Sequence, residues 1–239
     1  MIAILKKELN AFFSTPIGYL VIAVFLGFNG LFLWVFDGDF NILNTGFADL
    51  NGFFYLAPWI FIFLIPAITM RMFSDEYAVG TIEILKTKPL SLWQIIFGKY
   101  FASLLLIIFS IIPTLVYVYS IGALGNPENN FDLGSLIGSY IGLLFLASTY
   151  ISIGLYTSTL SKNQITTFII AVCLSLFLYS GFEAMDSLFG NLEYTVQKTG
   201  MSAHFKSLAR GVIDTRDLIY FLSISGFFLV LTKFRLERA

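Results

Sequence analysis

Apolar residues along this chain fall into six long blocks separated by short polar stretches. A helix needs roughly 20 apolar residues to cross a bilayer. Six stretches come close, at about 17–36, 52–70, 100–121, 135–159, 165–183 and 218–232, the last marginal at some fifteen residues. The first ends in Phe36-Asp37-Gly38-Asp39 with no small-x-small cleavage site, so it reads as a span rather than a removable signal. Outside the blocks the period changes. Residues 2–15 set Ile2, Leu5, Leu9 and Phe12 on one helical face, with Lys6, Lys7 and Asn10 elsewhere. That pattern predicts an amphipathic helix in the headgroup plane, broken from the first span by Pro16. Residues 202–213 repeat the spacing through Phe205, Leu208 and Val212, beside Lys206 and Arg210. They predict a second interfacial helix, with Phe205 and Leu208 facing lipid or span ends and Asp214 and Asp217 in water.

Composition agrees. Hydrophobic residues make up 57% and charged residues 12%, where a soluble domain carries about a quarter charged. Mean hydropathy is +0.83. The expected fold is an all-α membrane protein, one transmembrane domain over residues 1–239. A net charge of −1 lacks the basic footprint of a nucleic-acid partner. Basic residues set the orientation. With the N-terminus inside, Lys6, Lys7, Arg71, Lys86, Lys88, Lys99, Lys162, Lys233, Arg235 and Arg238 face the cytoplasm, ten of the fourteen. Both termini and the 71–99 segment are then expected to be cytoplasmic, with 184–217 outside.

Absences narrow the function. There is no GxxxxGK[ST], no HExxH, no GxSxG and no paired-cysteine motif, and Cys173 stands alone in an apolar run. His204 is the single histidine, read as an ordinary interfacial residue. No catalytic residue, metal site or bound cofactor is expected. The centres of the six spans lack Asp, Glu, Lys, Arg and His, the groups that mark ion-coupled transport. Energy for any work must reach the chain from outside.

The densest charge lies in RMFSDEYAVGTIEILKTKPLSLWQIIFGK, residues 71–99. Ser74, Asp75 and Glu76 suit the start of a helix, Ala78, Ile82 and Leu85 make an apolar stripe, and Pro89 ends it. Ser91-Leu92-Trp93-Gln94 matches a capping box, restarting a helix that continues through Lys99 into the third span. The segment is either a device that transmits force or a charged connector obeying the positive-inside rule. Gly134, Gly138 and Gly142 form a small-residue row that admits close helix approach, within the chain or between subunits. Ser148, Thr149, Ser152, Thr157, Ser158 and Thr159 either line a polar path or bond their own helix.

The pattern formed by Glu76, Gly80, Thr81, Glu83, Leu85, Pro89, Gly98 and Lys99 resembles the cytoplasmic loop of ABC-2-type transporter permeases. Within that family, AHFKSLARGVIDTRDLIYFL (203–222), which holds His204, Phe205, Leu208, Arg210, Gly211, Asp214 and Asp217, is most similar to gliding-motility-associated permeases. Permeases of nitrous-oxide-reductase maturation systems are second. The resemblance implies a permease in a bacterial inner membrane, joined by a cytoplasmic ABC ATPase subunit that carries ATP and Mg. It further implies a second permease copy, or a related membrane subunit with a periplasmic domain. The coupling helix of the family falls on 75–88, and its interfacial connecting helix, with Leu5, Lys6, Lys7, Leu9 and Phe12, on 2–15. The alternative is a non-transporting energy transducer or scaffold; a passive channel is weaker, since nothing resembles a filter or gate.

Overall fold

A computed structural model describes residues 1–83, 89–185 and 198–238. Among them every regular element is helical. Helix α1 (Ile2–Ser14) ends where Thr15 turns extended before Pro16, as a residue preceding proline must. The Thr15 hydroxyl donates back to the Ala11 carbonyl at 2.9 Å. Pro16 opens α2 (Pro16–Gly30), a first-turn position where its missing N–H costs nothing. Helix α3 (Asn51–Thr69) is followed after Met70 by α4 (Arg71–Val79). Helix α5 (Leu92–Ile111) starts on the expected capping box, with Ser91 Oγ accepting from Gln94 N and Gln94 Oε1 accepting from Ser91 N. Past Pro113 it continues to Leu124. Helix α6 (Leu133–Ser158) is capped by Asp132, and α7 (Gln164–Leu176) by Asn163. Helices α8 (Met201–Leu208) and α9 (Thr215–Arg238) complete the chain. Both α2 and α7 pass into single π-helical turns, Leu31–Val35 and Phe177–Gly181.

Among the described residues six helical stretches are long and apolar enough to cross a membrane: Pro16–Val35, Asn51–Val79, Leu92–Leu124, Leu133–Ser158, Gln164–Ala184 and Thr215–Arg238. The last spans 24 residues, so the fifteen-residue apolar run is only its middle. Helix α6 is the axis of the bundle, packed by α3, α5, α7, α8 and α9. Its tightest neighbour is α3: a Cβ on Gly154 would lie 1.9 Å from Thr69 Oγ1, so only glycine lets the helices cross there. Helix α1 lies across the start of α5, and the end of α9 meets the same region through Lys233, 5.6 Å from the Trp93 ring centroid. This is the near end of the bundle; α8 and the start of α9 mark the far end.

Two expectations fail locally. No helix begins at Ser74. Met70 keeps helical backbone (φ −52°, ψ −33°), and the buried Ser74 hydroxyl donates to the Met70 carbonyl at 2.5 Å, a mid-helix back-bond rather than a cap. The helix stops instead at Gly80, whose φ of +75° is the left-handed conformation that favours glycine. The helix expected over 75–88 thus starts earlier, at Arg71, breaks at Gly80 and is helical again over 81–83, with 84–88, Leu85 included, outside the described residues. At the far end the helix expected over 202–213 closes at Leu208, and Gly211 turns the chain at φ +87°.

Candidate functional site

The near end is organised around one buried cation. Lys99 sits two turns into α5 and is 1% exposed. Its Nζ donates to Glu8 Oε1, Glu76 Oε1 and the Met72 carbonyl, each at 2.8 Å. An ammonium has three donors, and all three are engaged. The Phe73 ring lies beside it, 5.1 Å from nitrogen to centroid. A buried charge without such partners would cost several kcal/mol. Glu8 belongs to α1, Glu76 to α4 and Lys99 to α5, so a single nitrogen ties together three elements far apart in the chain.

The surroundings fit that tie. Gly98 lets α1 descend onto α5, since a Cβ there would lie 2.9 Å from Ile4 Cβ and 3.2 Å from the Met1 carbonyl. Lys7 caps the cluster from the solvent side, 3.3 Å from Glu8 and 3.4 Å from Glu76. The Arg71 guanidinium stands over Phe12 at 5.2 Å. Burial pushes the Glu8 carboxyl upward in pKa, but the charges and hydrogen bonds of Lys99 and Lys7 outweigh it and hold the group below its ordinary value. Burial likewise draws Lys7 down, and Glu8 and Glu76 outweigh it, leaving that ammonium raised. A second anchor lies on the other flank of α4. Gln164 Nε2 donates to Asp75 Oδ1, and the Thr167 hydroxyl donates to the Met70 carbonyl at 3.2 Å.

Beyond this anchored base, α4 presents an exposed tip. Ala78, Val79, Gly80, Thr81 and Glu83 are all exposed, Val79 at 76%. Glu76 and Ile82, expected to face a partner, point inward: Glu76 serves Lys99, and Ile82 is buried. Pro89 leads into the capping box. On α1 the inward face is also displaced. Ile4, Glu8 and Phe12 are buried, Leu5 and Leu9 flank them half-buried, and Ile2, Lys6 and Lys7 are exposed. Sequence reasoning missed Glu8 and Val79. Glu8 stands at i+4 between Ile4 and Phe12, and that spacing was the available signal.

At the far end, α8 lies on α6 over the glycine row. A Cβ on Gly138 would stand 2.2 Å from the Leu208 carbonyl oxygen, and one on Gly142 would stand 3.1 Å from the Phe205 ring. A Cβ on Gly134 would stand 3.7 Å from the Gly211 carbonyl oxygen, and the Ser135 hydroxyl donates to the Ala209 carbonyl at 2.5 Å. Phe205 and Leu208 are therefore buried against the end of α6 rather than turned to lipid. Asp217, expected in water, is 6% exposed, because His204 Nδ1 reaches its Oδ1 at 2.7 Å. The His204 ring stacks on Tyr220 at 3.8 Å. Asp214 stays partly exposed and accepts from Arg216 N at 2.9 Å, and Arg210 is exposed.

Comparison with known proteins adds the family. No curated protein matches the chain. The model of the ABC-2 family transporter proteins matches residues 3–225, from the second residue of α1 to the middle of α9. That match includes the first five spans, the first half of the sixth, the Lys99 cluster and the glycine row, and the chain belongs to the ABC-2 family of transporter proteins, as a membrane transport component.

Proposed function

We propose that this chain is the permease half of an ATP-driven transporter of the gliding-motility type, worked through its near end by a cytoplasmic ATPase subunit that carries ATP and Mg. The observation that carries the reading is the combination at α4. An apolar Val79 stands 76% exposed at the tip of a helix whose base is fixed to α1 and α5 through Lys99. An exposed valine beside Gly80, Thr81 and Glu83 suits a groove in a partner, and a push on that tip loads α1, α3 and α5 together. The docking surface is 78–81 with Glu83, and Glu76 is an internal strut rather than a contact. Both termini then lie in the cytoplasm and the far end outside, in a bacterial inner membrane. The basic residues and the AHFKSLARGVIDTRDLIYFL segment support that side assignment and the subtype. Helices α2 and α7 are the spans least covered by their own chain, and they offer the surface for a second permease copy or a membrane subunit with a periplasmic domain.

One observation favours the energy-transducer reading. Along α6 the serine and threonine run from 148 to 159 is engaged: Ser152, Thr157, Ser158 and Thr159 donate to carbonyls of their own helix, and Ser148 and Thr149 bond Tyr100 and Ser225, whereas the buried Tyr150 hydroxyl has no partner among the described residues. That run offers no row of free hydroxyls to a solute, which favours transduction over a path along α6. Pull-down of the ATPase with Val79→Asp and Glu83→Lys tests the docking reading. Both variants should insert normally and lose the ATPase; full binding by both would refute it. ATP-dependent uptake into vesicles holding the complete complex then separates transport from transduction.

A further inference from the structure

We infer that the far end holds a binding site for a phosphate ester bearing a primary amine, the chemistry of an ethanolamine phospholipid headgroup. A cavity of about 580 Å³ opens between α8, the start of α9 and Glu183, a volume typical of small-molecule sites. Lys206, Arg210 and Arg216 line it beside Glu183, Asp214 and Asp217. Lys206 is neutralised by Glu183 at 2.6 Å. Arg210 and Arg216 are exposed and have no carboxylate within ion-pair distance among the described residues. Two planar guanidiniums at one rim suit a phosphate, which takes paired N–H donors.

The wall of the cavity asks for the opposite charge. Asp217 is 6% exposed, its Oδ1 is taken by His204, and its Oδ2 is buried with no hydrogen-bond partner. A buried carboxylate oxygen left unpaired is expensive, and an ammonium with three donors would satisfy it. Asp217, with that unpaired oxygen, and the guanidiniums of Arg210 and Arg216 thus line one cavity, an acceptor and two cations that match the two ends of a phosphoethanolamine group. Its position matches. Glu183 lies at the end of the fifth span and Asp217 at the start of the sixth, the level of lipid headgroups. Beside it Val212 is 71% exposed and Ile213 45%, an apolar edge that acyl chains would cover. The inference rests on the membrane reading of the chain, but not on the ATPase partner or on which side the far end faces.

Native mass spectrometry of the delipidated full-length chain tests it, with no nucleotide or ATPase present. Phosphatidylethanolamine should be retained about tenfold more tightly than phosphatidylcholine of the same chains, since three methyl groups remove the donors to Asp217. Asp217→Asn keeps an acceptor for His204 and should erase that preference. Arg210→Gln with Arg216→Gln, at exposed positions, should weaken both lipids and preserves the test if Asp217→Asn fails to fold. Free O-phosphoethanolamine that displaces the lipid at similar concentration would assign the same chemistry to a soluble ligand. Equal retention of the two lipids by the unaltered chain, or unchanged retention in the arginine double variant, would overturn the inference.

Discussion

Replacing Lys99 with methionine should be the most damaging single change at the near end. It removes a cation that is 2% exposed in its side chain and leaves two carboxylates, each 12% exposed, with only the solvent-side Lys7, at 3.3 and 3.4 Å, as counter-charge. Removing one partner of a buried ion pair costs about 3–5 kcal/mol, and so little exposure leaves water little room to screen the loss. Glu8→Gln removes one strut only, since Lys99 keeps Glu76 and the Met72 carbonyl. It should cost about 1–3 kcal/mol. Because the two side chains share one contact, their effects should not add, and a double-mutant cycle should give a coupling of about 1–3 kcal/mol. Unfolding of the four species by detergent titration in mixed micelles supplies the cycle, with the exposed Lys6→Met as control. A spin label at position 3 of α1 reports whether that helix lifts away. The reasoning fails if the coupling is indistinguishable from zero, or if Lys99→Met is as mild as Lys6→Met.

The same geometry sets three further outcomes. Gly138→Ala should destabilise the chain by about 1–3 kcal/mol, because its methyl meets the Leu208 carbonyl, while Gly226→Ala meets nothing and should be neutral or slightly stabilising in thermal unfolding. Attachment of α1 should be insensitive to pH between about 5 and 10. The lowered Glu8 gives stability above its unfolded pKa that is lost as pH falls through the folded value, and the raised Lys7 gives stability below its unfolded pKa that is lost as pH rises through the folded value. Release of the α1 spin label near pH 6–7 would contradict this. In a Cys173→Ser background, cysteine at position 212 should react with an impermeant thiol reagent added outside cells and cysteine at position 81 should not; the reverse labelling would invert the proposed orientation.

What the sequence discloses here is what local chemistry decides. The Ser91–Gln94 box is four residues long, and it forms as written. Apolar blocks identify the six spans because lipid imposes one rule on each of them. The Ser74-Asp75-Glu76 run misleads because the same residue types that cap a helix also sit inside one when its backbone is already continuous. Glu8 is legible only in part: its place at i+4 between Ile4 and Phe12 puts it on the buried face, but its partner Lys99 stands 91 positions away. The glycine row announces that something approaches closely, yet nothing in the row says that it is the Leu208 carbonyl of α8. Asp217 looked solvated for the same cause, since His204 reaches it only after Gly211 has turned the chain back.

The crossing at Thr69 and Gly154 makes the Asn51–Val79 stretch a first-class lever. Contact there is so tight that the crossing acts as a fulcrum, with Val79 ten residues to one side and Asn51 eighteen to the other. At 1.5 Å per residue the arms are about 15 Å and about 27 Å, a ratio near 1.8. A lateral swing of about 2 Å at the Val79 tip would therefore emerge as nearly 4 Å at Asn51, in the opposite direction. The short arm also carries Met72 and Glu76, so the torque that tilts the rod is shared at once with Lys99 and Glu8. In such a geometry a small displacement of the short arm is geared into a longer one at the far end of the stretch.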